Sequence, residues 1–202
     1  MNPSRAYSMD VRSQGMAENR VAVQRAVVAL AERQRLADIS LADIAERSGV
    51  SVRTLLRYYG TKDELLRTVA DELQRLPLAD RPVLPGDVDG ALAALSEDYE
   101  TNGRLMLMLL AQEDVDPIAQ LVTRRGKASH RRWVCAQFEL DPEVDAEQID
   151  LLVVCTDLYT WKLLRLDRRL SAPAVVARMA ALVRAVQARS AGPATTTRRT
   201  RR

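Results

Sequence analysis

Residues 40–66 read SLADIAERSGVSVRTLLRYYGTKDELL, and they decide the fold of the chain. Three short helices are announced here, each by its own cap. Ser40 precedes the apolar Leu41 and has Asp43 three residues on, a capping box built with the shorter acid. Ser51 opens a second helix after the turn Gly49–Val50, and Thr61-Lys62-Asp63-Glu64 is a full T-x-x-E box opening a third. Gly49 stands where the first helix must stop, because a left-handed residue there carries no Cβ penalty. Two helices of roughly two turns joined by a tight Gly-containing turn are a helix-turn-helix. The apolar positions agree: Leu41, Ile44 and Ala45 face inward from the first helix, and Val50, Leu55 and Tyr59 close over them.

The outward face of the second helix is then Val52, Arg53, Thr54, Leu56, Arg57 and Tyr58. Guanidinium, hydroxyl and apolar groups in that density can reach base edges, thymine methyls and phosphates. Ser40, Ser51, Val52, Arg53, Thr54, Arg57, Tyr58 and Lys62 are therefore the candidate DNA contacts, with Lys62 at a helix N-terminus that already favours a phosphate. A plain helical hairpin with solvated arginines fits the same pattern, and the pattern alone leaves that reading open.

Several anchors in register carry a resemblance. Ile44-Ala45-Glu46-Arg47-Ser48-Gly49-Val50-Ser51, then Thr54-Leu55, then Tyr59-Gly60-Thr61-Lys62-Asp63-Glu64-Leu65-Leu66, resemble the TetR family of bacterial one-component transcriptional regulators. The likeness covers residues 17–76 and touches the rest only in outline. Leu56 stands where the family often has Tyr, Tyr58 where His is common, Tyr59 where Phe is common, and Arg35 where the loop often has Gly. The resemblance implies a sequence-specific regulator, most often a repressor, released from a palindromic operator on double-stranded DNA by a small apolar effector.

Composition supports helices. Among 202 residues, 47% are hydrophobic but only 4% aromatic, and period-two alternation is scarce, which disfavours sheets. The net charge of +3 hides a division. Arg198, Arg199, Arg201 and Arg202 crowd the end, while residues 77–189 hold 14 basic against 17 acidic residues. The acidic excess is thus kept away from the helix-turn-helix. Residues 1–16 lack the apolar core of a signal peptide, and no apolar run approaches bilayer length, so the expectation is a cytoplasmic protein without membrane contact. One histidine cannot form a multi-histidine metal site. There is no Gly-rich phosphate loop, and no Ser or Cys stands in a nucleophile motif. The expectation is no enzyme, no cofactor and no metal. An architectural DNA-binding protein without effector, and a helical-bundle enzyme, are the alternatives.

The fold class that results is all-α, with about nine helices in total: a three-helix helix-turn-helix DNA-binding domain followed by a larger helical effector-binding and dimerisation domain. Residues 1–16 read as a flexible arm. Residues 17–76 form the DNA-binding domain, from a first helix at about Ala17–Arg33 to a connecting helix over 61–76. Pro77 and its neighbours PLADRPVLPG mark the boundary, residues 77–190 the second domain, and 191–202 a disordered basic tail. Within the second domain Val88, Ala91, Leu92 and Leu95 stripe a fifth helix and residues 104–113 a short sixth. Asp116-Pro117 opens a long helix to about Phe138, Asp141-Pro142 another through about Leu170, and Ser171 a last one through about Arg189.

The expected helix over 142–170 is apolar on most of its circumference, and the last one, with Val175, Val176, Met179, Leu182, Val183 and Val186, is also broad. A helix apolar all round needs burial on two sides, so these point to a homodimer through a four-helix bundle; a central helix inside a monomer is the other reading. Met106, Leu109 and Leu110, with Trp133, Phe138, Tyr159 and Trp161, are the candidates for the apolar effector pocket that the resemblance implies, although such stripes also suit plain core. His130, in the run His130-Arg131-Arg132, reads as a surface or rim residue, and Cys135 and Cys155 as buried free thiols.

Overall fold

All three caps form in the computed structural model, which describes residues 3–75 and 82–190, with side chains over 15–73 and 82–190. Helix α1 spans Pro3–Ala31, α2 Leu41–Ser48, α3 Val52–Tyr59 and α4 Lys62–Arg75. A single 3-10 turn, Leu36–Asp38, links α1 to α2. At α2 the Asp43 N–H donates to Ser40 Oγ (3.1 Å) and the Ser40 N–H to Asp43 Oδ2 (2.8 Å), closing the reciprocal box. At α3 the Thr54 N–H donates to Ser51 Oγ (3.2 Å). At α4 the Glu64 N–H reaches Thr61 Oγ1 (3.2 Å) and the Thr61 N–H returns to Glu64 Oε2 (3.0 Å). Each box satisfies donors that a helix start leaves without a partner. Gly49 ends α2 at φ +73°, as a left-handed cap requires.

Helix α1 starts far upstream of Ala17, taking in most of the segment read as an arm. Nothing between Arg5 and Met16 except Gly15 opposes a helix, and one Gly costs only about 1 kcal/mol. Residues 76–81, at the expected boundary, and the expected tail 191–202 lie outside the described residues.

Helix α5 is one continuous element, Val88–Leu110, where two were expected. The sequence between Leu95 and Arg104 has no proline, and a single Gly103 is too weak a breaker to split it. Helix α6, Pro117–Gln137, follows the expectation: Asp116 Oδ1 accepts the N–H groups of Ile118 (2.8 Å) and Ala119 (2.9 Å). Helix α9 covers Ala172–Ser190.

The stretch expected as one helix over 142–170 is instead broken into pieces. Asp141-Pro142 forms a turn, α7 runs Ala146–Thr156, α8 Leu158–Lys162, and a π turn occupies Leu163–Asp167. The break has a local cause. Asp157 is extended (φ −69°, ψ 152°), and its carboxylate accepts the Tyr159 N–H (2.8 Å), starting a new helix rather than continuing the old one. The Thr160 hydroxyl takes the Val154 carbonyl that continuation would have used (2.6 Å). Arg165 pins the π turn with a two-pronged grip on Glu100 and a bond to the Leu170 carbonyl.

The chain divides into two compact units, one of Met1–Asp80 with Asn102–Lys127 and one of Arg81–Thr101 with Ala128–Arg202. In the first, Val23, Ala26 and Val27 of α1 pack with Ile44, Val50, Leu55, Leu65, Leu66 and Val69 around the helix-turn-helix. Leu109, Ile118 and Ala119 belong to this same core, with Leu105, Met106 and Val122 packed against it. In the second unit α7, α8 and α9 pack together, burying Ile149, Leu152, Trp161, Val175, Met179 and Val183. Among the described residues no helix is long and apolar enough to cross a membrane.

Candidate nucleic-acid interface

Helix α3 is only two turns long, and its geometry sorts its side chains. At roughly 100° per residue, Leu55 and Tyr59 share the inward side while Arg53 and Arg57, one turn apart, stand near the middle of the outward side. Val52 and Leu56 flank them along one edge, Thr54 and Tyr58 along the other. Burial follows this layout: Leu55 is 0% exposed, whereas Leu56 is 45% and Tyr58 44% exposed. A two-turn helix with such an apolar, solvent-facing rim is held only by its inner stripe and its caps.

The polar contacts of this face are partly spent inside the domain. Ser40 Oγ donates to Asp43 Oδ2 (2.8 Å) while accepting the Asp43 N–H, so its role is first to cap α2. The same carboxylate, held by the Ser40 N–H and hydroxyl, titrates below the usual aspartate range. Ser51 and Thr54 hydroxyls lie 2.9 Å apart. One of their two hydrogens bridges them, which leaves the other to donate outward. The Arg57 guanidinium donates to the Tyr58 hydroxyl (3.1 Å) and sits 4.8 Å from the centre of its ring, so this pair forms one unit. Arg53 and Val52 are exposed at the first turn of α3.

Lys62 behaves differently from a free point charge at a helix start. Its Nζ donates to the carbonyls of Ala37 (3.0 Å) and Leu36 (3.4 Å), bridging the start of α4 to the 3-10 turn before α2. On the turn's exposed side Arg35 grips Asp38 with two bonds, 2.8 and 3.0 Å, which holds the Asp38 carboxyl below its ordinary range. The turn is thus braced from two sides. Neither brace stood out in the sequence: Arg35 and Asp38 are an ordinary surface pair by spacing, and a lysine donating to backbone carbonyls leaves no pattern.

Of the residues read as an effector pocket, the structure brings some together and separates others. Met106 and Leu109 lie with the core of the first unit. Trp133, Phe138 and Trp161 lie in the second. There Trp133 stacks on His130 (5.8 Å between ring centres) and meets Phe138 edge-on (6.5 Å), while Trp161 faces Tyr99 (5.8 Å). Tyr159 is 55% exposed, and Leu110 is half-buried at the end of α5.

His130 is buried, not a rim residue, because the ring is needed inside. The Thr156 hydroxyl donates to the Leu152 carbonyl (2.7 Å), so at 3.0 Å it accepts from His130, which places the proton on Nε2. The Tyr99 hydroxyl closes the group on the Thr156 carbonyl (2.9 Å). Cys155 is buried, which pushes its thiol up, whereas Cys135 is only half-buried.

A capped helix-turn-helix with an arginine-bearing recognition helix, closed by α1 and α4, defines a DNA-binding domain of the major-groove kind. Residues 26–69 match the profile of bacterial regulatory proteins of the tetR family, and through this segment the chain resembles the DNA-binding transcriptional regulators of that family. The fold extends well beyond the domain. A TetR transcriptional regulator from Rhodococcus sp. RHA1 superposes with a TM-score of 0.51 at 19% identity, over 85% of this chain and 97% of that one. A transcriptional regulator from the same source superposes with a TM-score of 0.62 at 18% identity, over 84% and 96%. No curated protein matches the sequence.

Proposed function

We propose that this chain acts as a homodimeric bacterial repressor in the cytoplasm, reading a palindromic operator and leaving it when a small apolar effector binds. The observation that carries the reading is the outward face of α3, with Arg53 and Arg57 between an apolar edge and a hydroxyl-bearing edge. Arg53 reads a base edge, since side chains at the start of a recognition helix reach furthest into the groove. Ser40, Ser51, Thr54, Arg57 and Tyr58 position the backbone or share in reading, and Val52 offers a methyl contact. Lys62 serves mainly through the turn that it braces, and its remaining hydrogen can meet a phosphate.

The dimer reading draws on the second unit. Val154, Tyr159, Leu163 and Leu182 are between 45% and 63% exposed on α7, α8, the π turn and α9. Apolar exposure in that density suits a self-complementary surface. The effector reading rests on the family resemblance and on two aromatic pairs, Trp133 with Phe138 and Trp161 with Tyr99, with residues 77–190 as the domain that carries both roles. An effector acts only if it binds the DNA-competent and released geometries with different affinity.

Selection of binding sites from random DNA, followed by footprinting, tests the reading. A discrete palindrome protected in two half-sites is expected; uniform coverage would instead mark an architectural protein, and no protection an enzyme. On the selected site, Arg53→Ala should lose about 1–3 kcal/mol while binding to random duplex is little changed. A loss of the same factor on both would make Arg53 a phosphate clamp.

A further inference from the structure

The turn Leu36–Asp38 leads directly into Ser40, the cap of α2, and so sets where the helix-turn-helix begins. Its first N–H, on Leu36, is one of the donors that a helical turn leaves without a partner. That N–H donates to Gln112 Oε1 at 2.8 Å, although the two residues lie 76 apart in the chain. The Gln112 amide is fixed in orientation, because Nε2 donates to the Met108 carbonyl at 2.7 Å. A flipped amide would set oxygen against oxygen and nitrogen against N–H. Gln112 is itself only 4% exposed. Its backbone carbonyl accepts the N–H groups of Val115 (3.0 Å) and Asp116 (2.9 Å), and Asp116 is the residue that caps α6.

One residue therefore holds three things together: the last turn of α5, the start of α6 and the entrance to the helix-turn-helix. The Leu36 carbonyl, in the next peptide group, accepts from Lys62. Leu36 is locked by hydrophobic burial, at 4% exposure, and by bonds to both its N–H and its carbonyl. Residues 105–122 add Leu105, Leu109, Ile118 and Ala119 to the same core, so the amide sits on an apolar clamp rather than on a loose loop. Buried polar links bonded at both the donor and the acceptor end specify one arrangement, because any other leaves those groups unpaired.

We propose that Gln112 is a positioning residue for DNA recognition: it holds the turn that leads into α2 in register with the α5–α6 connection, and operator affinity depends on that connection. The inference rests on the DNA-binding reading and adds to it a route of control. The covalent route into the recognition helices runs through α4; the Gln112 bond is a second, non-covalent route from α5 and α6. Any change that shifts the end of α5 by about an ångström breaks a bond of this length and frees the turn.

The full chain tests this with Gln112→Met, which keeps the length of the side chain and removes both hydrogen bonds. Operator affinity should fall roughly five- to tenfold. Amide exchange at Leu36 should quicken by roughly tenfold, while exchange at Leu65 in α4 and binding to random duplex change by less than about twofold. Unchanged operator affinity, or acceleration spread evenly over all core amides, overturns the proposal, the second because it marks general loosening. Should Gln112→Met fail to fold, Gln112→Asn, one methylene shorter and still polar, carries the same expectations. If the unaltered chain selects no DNA site at all, the regulator reading fails as well; if it does and the variants bind equally well, only the role of Gln112 falls.

Discussion

The helix-turn-helix and the α7–α9 region use apolar residues in opposite ways. Around α2 and α3 the helices are short, and their ends are closed by side chains three residues away, so that Leu55 and Ile44 are wholly enclosed within the domain. Around α7–α9 the residues are apolar on more sides than one chain covers. Leu152 and Val183 are enclosed, but Val154 and Leu163 face outward. The contrast teaches that caps stabilise short amphipathic helices, whereas breadth of apolar surface calls for a further packing partner.

The largest expected effects set Leu55 against Leu163. Leu55→Ala leaves a hole in a closed core and should cost about 2–5 kcal/mol in urea denaturation. Leu163→Glu changes a side chain that is 54% exposed, so the single chain should keep its stability to within about 0.5 kcal/mol. Light scattering should nevertheless show the dimer lost, with operator affinity falling because a lone half-site binds weakly. If Leu163→Glu unfolded the chain, or left the dimer intact, the proposed interface would be elsewhere.

A smaller effect separates two glycines within the first region. Gly49 (φ +73°) has open space where a Cβ would stand, so Gly49→Ala should cost only the left-handed strain, about 1 kcal/mol. Gly60 (φ +77°) has Glu64 Oε2 2.5 Å from that position, and this oxygen closes the α4 capping box. Gly60→Ala must displace it, so a loss of about 1–3 kcal/mol is expected in thermal unfolding. Equal losses at the two sites would mean that the box contributes nothing.

In the second region Asp157→Ala removes the cap of α8. A loss of about 1 kcal/mol is expected, with faster exchange of the Tyr159 amide. A gain in helicity and stability would show that the side chain alone interrupts a helix the backbone prefers.

The smallest expected effect is a pH dependence. The Asp43 carboxyl titrates lower in the folded chain than in the unfolded one, because the Ser40 N–H and hydroxyl bond its charged form. Its stabilising contribution is complete above the unfolded value of about 3.9 and disappears as pH falls through the lowered folded value. The stability difference between the unaltered chain and Asp43→Asn should therefore be constant above about pH 5 and shrink below pH 4. A difference independent of pH would mean that the box works equally well uncharged.

Residues 40–66 were legible because their information is local. Ser40 with Asp43, Ser51 with Thr54 and Thr61 with Glu64 each act across three residues, and a left-handed cap needs its glycine at one place. The inward residues Ile44 and Leu55 follow from helical period alone. The broad apolar character of 149–166 was equally plain, but its division at Thr156–Asp157 was not. Asp157 and Thr160 are compatible with a helix interior until their side chains take up N–H and carbonyl groups of their own.

What the sequence by itself determined is the helix-turn-helix domain: its caps, its core stripe and the outward residues of α3. Tertiary structure alone decided the rest. It placed residues 102–127 in the same compact unit as that domain, buried His130 against Thr156, and turned Lys62 back onto the Leu36–Asp38 turn. It also joined Gln112 to Leu36. The physical reason is separation along the chain. A bond across three residues leaves a spacing that can be read, but a bond across 76 leaves none, because any buried glutamine of suitable reach would serve.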